Sequence, residues 1–159
     1  MLIKPMNWTP HITVAAVIEK QNRFLLVEER IGGRTVFNQP AGHLEAGEDL
    51  LHAVAREVLE ETAHVFEPQT LVGVYLYEIP QKQRSYLRFC FSGTVQDQPL
   101  NRPLDKEIIA THWLSRDEMQ NRQQRLRSPM VLRCVEDYLG GASLPLSCLH
   151  YLQETSQHG

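Results

Sequence analysis

Residues 42–61 read GHLEAGEDLLHAVAREVLEE, and the spacing of charge in this stretch organises the reading of the whole chain. Gly42 is followed after five residues by Glu48, and after seven more by Arg56-Glu57-Val58-Leu59-Glu60-Glu61. Glu48 and Asp49 favour a helix start, because acids there complement the positive end of the helix dipole. The pattern predicts a helix running to about Ala63. At about 100° per residue, with Glu57 set at zero, Glu61 falls at roughly 40° and Glu60 at roughly −60°. Val54, Val58, Leu51 and Ala55 occupy the adjacent sector, at roughly 60° to 160°. One stripe can anchor the helix on a sheet while three carboxylates share the edge beside it.

Carboxylates that close together repel one another and raise each other's pKa. A divalent cation relieves that repulsion, and an all-oxygen donor set suits Mg²⁺ or Mn²⁺. Arg56 adjoins the acidic edge, and Glu48 is a plausible ion-pair partner for it. Acidic helix faces are usually only solvated. The glycine loop and Glu48 at fixed offsets set this one apart.

These residues resemble the signature of the Nudix hydrolase family, G-x5-E-x7-R-E-U-x-E-E-x-G-U, where U is a bulky aliphatic residue. Gly42, Glu48, Arg56, Glu57, Val58, Glu60 and Glu61 stand in register with it. The chain departs at the end, with Ala63 in the glycine position and His64 in the aliphatic one. Glycine there lets a helix close in a left-handed turn. Alanine in the same turn costs on the order of 1 kcal/mol. Phe37 to Glu45 (FNQPAGHLE) is similar to the family's approach to its catalytic helix. Leu126-Arg127-Ser128-Pro129 is similar to a feature of one subgroup of bacterial Nudix phosphatases. The similarity spans about residues 10–146.

The resemblance implies one Nudix domain over residues 1–159, an α/β/α sandwich on a mixed sheet. It implies that Glu57, Glu60 and Glu61 bind Mg²⁺ (or Mn²⁺), with Glu57 as the alternative general base. Arg56 would orient Glu57 and pair with Glu48. A backbone carbonyl of Ala41 or Gly42 would be a further metal ligand. Some members take the base from a loop carboxylate. Here Glu107 is the candidate, with Asp105 behind it, although Glu107 reads equally well as a solvated loop acid. The implied activity is Mg²⁺-dependent hydrolysis of small organic di- and triphosphates. The subgroup implies orthophosphate release from nucleoside di- and triphosphates and from thiamine-type diphosphates. The same signature serves pyrophosphohydrolases of nucleoside triphosphates or ADP-ribose. A non-catalytic nucleotide sensor typically lacks a catalytic glutamate, and this chain keeps all of them.

Outside the signature the residues leave alternatives open. Arg88 reaches a phosphate if it faces the site, and is an outer-face residue if it faces solvent; alternation does not decide. Phe37 and Tyr77 could stack on a substrate ring or belong to the core. His43 contacts substrate or is structural. Arg122, Arg125 and Arg127 form a phosphate receptor or a solvated helix end.

Strands are predicted over His11–Lys20, Arg23–Glu29, Thr35–Phe37, Leu71–Ile79, Tyr86–Val95 and Ile108–Leu114. Gln21-Asn22 is a hairpin turn, Ile31–Arg34 a loop, and Pro40 limits the third strand. Ser115 with Glu118 forms a capping box. Ser128 and Pro129 open a final helix that ends at Gly140-Gly141. Residues 1–10 read as an irregular lead-in, the tail from Leu149 as loosely held, and Ser156–Gly159 as disordered.

The chain has 159 residues, 42% apolar and 22% charged, with a net charge of −3. It fits one soluble domain and lacks the basic footprint of a nucleic-acid binder. The apolar run Ile12–Ile18 is too short to cross a bilayer, and the N-terminus shows no cleavable signal pattern. Cys90, Cys134 and Cys148 are too widely spaced for a disulfide scaffold or a zinc site. The expectation is a cytoplasmic protein, monomer or homodimer, acting on a small phosphoanhydride.

Overall fold

The computed structural model describes residues 8–154. The lead-in before Trp8 and the segment Ser156–Gly159 lie outside them. The chain begins with a hairpin, β1 (His11–Lys20) and β2 (Arg23–Ile31). Its turn residues Gln21 and Asn22 both have positive φ, 51° and 60°, as a tight two-residue hairpin requires. β3 (Arg34–Asn38) returns along β2. Gln39 and Pro40 then carry the chain across to β1, where β4 (Ala41–His43) pairs antiparallel. This short strand had been read as loop, because three residues after a proline carry no strand pattern of their own. After α1 (Leu50–Thr62) come β5 (Phe66–Ile79), β6 (Arg84–Val95), β7 (Ile108–Leu114) and α2 (Arg116–Asn121). The chain closes with α3 (Pro129–Leu139) and β8 (Leu144–Pro145). Short 3₁₀ turns lie at Pro80–Lys82, Gln123–Arg125 and Leu146–Cys148.

The sheet is mixed. Its order is β3-β2-β1-β6-β5-β8, with β4 on β1 and β7 on β2. β1 runs parallel to β6 over eight residue pairs, from His11↔Tyr86 to Ile18↔Gly93. β1 and β2 pair only beside their turn, at Glu19↔Phe24 and Lys20↔Arg23, and then part. β5 starts five residues earlier than predicted. It includes Pro68, which cannot donate to a ladder and sits at a register shift between Pro68 and Thr70.

Helices cover both faces, as expected of an α/β/α sandwich. On one side α1 lays Ala53, Val54 and Val58 on Val14, Ala16, Ile18, Leu25 and Phe91. On the other, Met119 of α2 and Val131, Cys134 and Val135 of α3 pack on Ala15, Val17, Phe24, Leu26 and Cys90. Burial on both faces explains why β1 reads as an apolar run broken only by Thr13 rather than as an alternating pattern.

Several local expectations change. Asp49 is the N-cap of α1, its carboxylate accepting from His52 N at 2.8 Å. Ala63 keeps the left-handed turn at φ 59°, its N–H bonded to Leu59 O. His64 fills the aliphatic position by being buried, with its ring edge-on to Trp113. The Ser115–Glu118 capping box forms. Ser128 occupies the N-cap position of α3 with Pro129 at N1, but its side chain makes no capping bond. The tail is held further than predicted, since Leu146 and Leu149 pack against the α1-side core.

Candidate active site

α1 leans its acidic edge over the β4 loop. Glu57 and Glu61 are buried, with 9% and 5% of their surface exposed. That burial separates them from a solvated acidic face. Arg56 organises the group. Its Nε and Nη2 grip both oxygens of Glu48 at 3.0 and 2.6 Å. Nη1 donates to Glu57 Oε1 at 2.8 Å and to Glu60 Oε2 at 3.2 Å, and Nη2 also donates to the His43 carbonyl at 3.0 Å. Such a two-pronged guanidinium–carboxylate clamp fixes direction as well as charge. Glu61 Oε1 accepts from the Ala41 amide at 2.8 Å.

Glycine at position 42 leaves room for the Glu57 carboxylate. A Cβ built on it would overlap the Glu57 carboxylate. The close approach of strand backbone and helix carboxylate depends on the absent side chain.

These groups line a cavity of about 560 Å³. Its lining includes the carboxylates Glu29, Glu57, Glu60, Glu61, Asp105 and Glu107, and also Lys82, Arg84 and Arg88 with Tyr77 and Tyr86. Burial raises the Glu61 carboxyl to about 9, and the charges of Glu29, Glu57 and Asp105 add to the rise. Burial also raises Glu57, opposed by its bonds to Arg56. Glu48 is lowered by the Arg56 clamp. Buried carboxylates held close together in this way suit a divalent cation, whose charge would favour their ionised form. The donors available are all oxygens. Among the described residues, no three Asp, Glu, His or Cys side chains form a ready-made metal cluster. Instead Glu57 and Glu60 are turned onto Arg56, and Glu61 onto Ala41. The residues therefore fit a cation once their oxygens turn from these partners.

The other expected site residues divide. Asp105 and Glu107 both line the cavity; the charge of Asp105 adds to the rise of Glu57 and Glu61, and that of Glu107 to the rise of Glu29. His43 lines the cavity, with Nε2 3.2 Å from His11 Nδ1. Burial, then His11 and Arg127, lower its pKa. Arg88 faces inward and is buried. Phe37 is corrected: it lies in the α3-side core, edge-on to His112 and beneath the Arg125 guanidinium, and does not line the cavity. Tyr77 is the predicted aromatic that does line it. Arg127 reaches the cavity and pairs with Glu29 at 3.1 Å, whereas Arg125 pairs with Glu28 and Arg122 with the Glu118 carbonyl.

Sequence reasoning missed Glu29, Asn38, Gln39 and Ser128. Glu29 ends an apolar strand and looks like its solvated terminus, yet it is buried beside Arg127. The only available signal was a carboxylate continuing a strand that is buried on both faces.

Comparison with known proteins agrees with this geometry. Residues 9–133 match the family described as NUDIX domain. Phosphatase NudJ of Escherichia coli K12 is 39% identical over 140 residues, covering 88% of this chain and 90% of that one. A NUDIX hydrolase from Nitrosomonas europaea superposes with a TM-score of 0.87 at 46% identity, covering 91% of this chain and 98% of the other. A UDP-X diphosphatase shares the fold at 20% identity, with a TM-score of 0.69 over 86% of this chain and 66% of its own. Among the described residues, no helix is long and apolar enough to cross a membrane.

Proposed function

The chain belongs to the Nudix hydrolase family, enzymes that act on phosphoanhydrides, and from that premise we propose a Mg²⁺-dependent phosphohydrolase of small organic di- and triphosphates. In this reading it releases orthophosphate from nucleoside di- and triphosphates and from thiamine-type diphosphates. The observation that carries the proposal is the buried Glu57–Glu61 edge, oriented by Arg56 and Glu48 and sharing one cavity with Lys82, Arg84 and Arg88. A relative named a phosphatase at 39% identity supports orthophosphate as the product.

The proposed roles follow from position. Glu57, Glu60 and Glu61 hold the divalent cation, with a carbonyl of Ala41 or Gly42 as a further ligand. When bound, the cation offsets phosphate charge and makes a water more acidic. Arg56 keeps Glu57 aimed at the Gly42 loop, and Glu48 fixes Arg56 from its far edge. Where Glu57 is not a ligand it accepts the proton of the attacking water; otherwise Glu107 or Asp105 does. Lys82 and Arg84 draw the anionic substrate towards the cavity, and Tyr77 offers a ring face to its organic part. A cytoplasmic setting belongs to the same proposal; Cys90, Cys134 and Cys148 are free thiols.

The test is release of phosphate and pyrophosphate, with and without Mg²⁺, from nucleoside di- and triphosphates, ADP-ribose and thiamine diphosphate. Orthophosphate from the diphosphates is the expected result. Pyrophosphate from triphosphates alone, or cleavage confined to ADP-ribose, would replace this specificity with another of the same family. Absence of any Mg²⁺-dependent release would favour a ligand sensor.

A further inference from the structure

Two buried side-chain polar atoms lack a hydrogen-bond partner among the described residues: Arg88 Nε and Ser128 Oγ. Both residues line the same cavity. Buried polar groups are ordinarily satisfied, so two exceptions in one cavity point to a ligand that completes them.

Arg88 is the more informative of the two. It is only 4% exposed. Its Nη1 donates to Gln39 Oε1 at 2.9 Å and its Nη2 to Asn38 Oδ1 at 3.2 Å. Both partners are neutral amides. Among the described residues, no carboxylate lies within salt-bridge distance of Arg88, whereas Arg56 and Arg127 in the same cavity are paired. A buried charge without a counterion is unfavourable unless something supplies one. The amides are themselves fixed, since Gln39 Nε2 donates to Val131 O in the first turn of α3 at 2.6 Å. The guanidinium is thus held in place with donors to spare.

Its location separates it from the acidic edge. Thr13 of β1 pairs with His43 on β4 and with Arg88 on β6. Arg88 therefore lies two strand spacings, roughly 10 Å along the sheet, from the strand where the α1 carboxylates gather.

We propose that Arg88, with Ser128 Oγ, forms an anion subsite for the phosphate that stays on the organic product, next to the phosphate under attack. This rests on the phosphoanhydride reading of the cavity. A substrate anchored there presents its outer phosphate to the acidic edge, and a phosphomonoester product occupies the same subsite.

The experiment titrates the full chain with UMP and AMP in excess EDTA, by calorimetry and thermal shift. Binding that raises the melting temperature is expected. Asn38→Asp places a carboxylate beside Arg88 Nη2 and supplies the missing counterion from within. Because Asn38 also bonds the buried Glu29, the unliganded melting temperature serves as the folding control, and monophosphate binding by the folded variant should weaken by about tenfold or more. Arg88→Gln should weaken binding similarly, and Glu57→Gln should not. No binding by the wild type, or undiminished binding by folded Asn38→Asp and Arg88→Gln, overturns the subsite. The parent reading fails separately. Arg88-dependent binding without Mg²⁺-dependent hydrolysis sinks the hydrolase and leaves the subsite standing. Hydrolysis with KM and monophosphate inhibition unchanged in Asn38→Asp does the reverse.

Discussion

Glu57 does two things that a solvated glutamate could not. It is buried against Gly42, and it is aimed by an arginine that is itself clamped from the other side. Removing its charge should therefore affect chemistry more than folding. Glu57→Gln is expected to lower kcat at saturating Mg²⁺ by about 10²- to 10⁴-fold, with a melting temperature near wild type or above it. Unchanged turnover would remove Glu57 from the site. Gly42→Ala probes the same contact from the strand. The new Cβ must push the Glu57 carboxylate aside, and a displacement of that kind costs about 10²-fold in rate. Steady-state kinetics with circular dichroism as the folding control would check this; full activity would show that the close approach is not needed.

At the scale of the element, α1 is delimited by side chains of opposite local suitability. Asp49 caps its start well, whereas Ala63 ends it in a conformation that favours glycine. Ala63→Gly should stabilise the protein by roughly 1 kcal/mol, a rise of about 2–4 °C in melting temperature for a domain of this size. Turnover should not change, because the substitution lies past the last carboxylate. A lower melting temperature would mean that the alanine methyl, which is buried, contributes more by packing than its backbone strain costs. The β1–β2 hairpin matters in a different way. Its strands part after two residue pairs, and the cavity draws Thr13 from one and Glu29 from the other.

Across the whole molecule, one cavity gathers carboxylates from α1, β2 and the loop before β7. Their mutual proximity ties stability to pH. Glu61 has a folded pKa of about 9 against an ordinary 4.5, so the folded state binds its proton more tightly than the unfolded chain does. Its contribution to stability is complete below about 4.5 and is lost as pH rises towards 9. In chelator, the melting temperature should therefore fall across that window. Mg²⁺ should restore it most at the alkaline end, where the cation replaces the proton, and Glu61→Gln should flatten the slope. Thermal scans at several pH values would test this; an unchanged slope in Glu61→Gln would show that the fall arises elsewhere.

Local spacing and periodicity were enough to specify helix α1, the strands β1, β2, β5, β6 and β7, and the charged signature. Arg56, Glu57, Glu60 and Glu61 lie within six residues of one helix, whose geometry brings them together, and Glu48 lies just before its N-cap. The rest of the cavity lining depended on long-range packing. Arg88 and Phe37 were both candidates in the sequence, and packing sent Phe37 into the core and Arg88 into the cavity. Glu29, Asn38, Gln39 and Ser128 join the site through strand register and the docking of α3, contacts between residues up to 98 apart in the chain. No local pattern encodes such contacts, since each depends on which face a distant element turns towards the sheet.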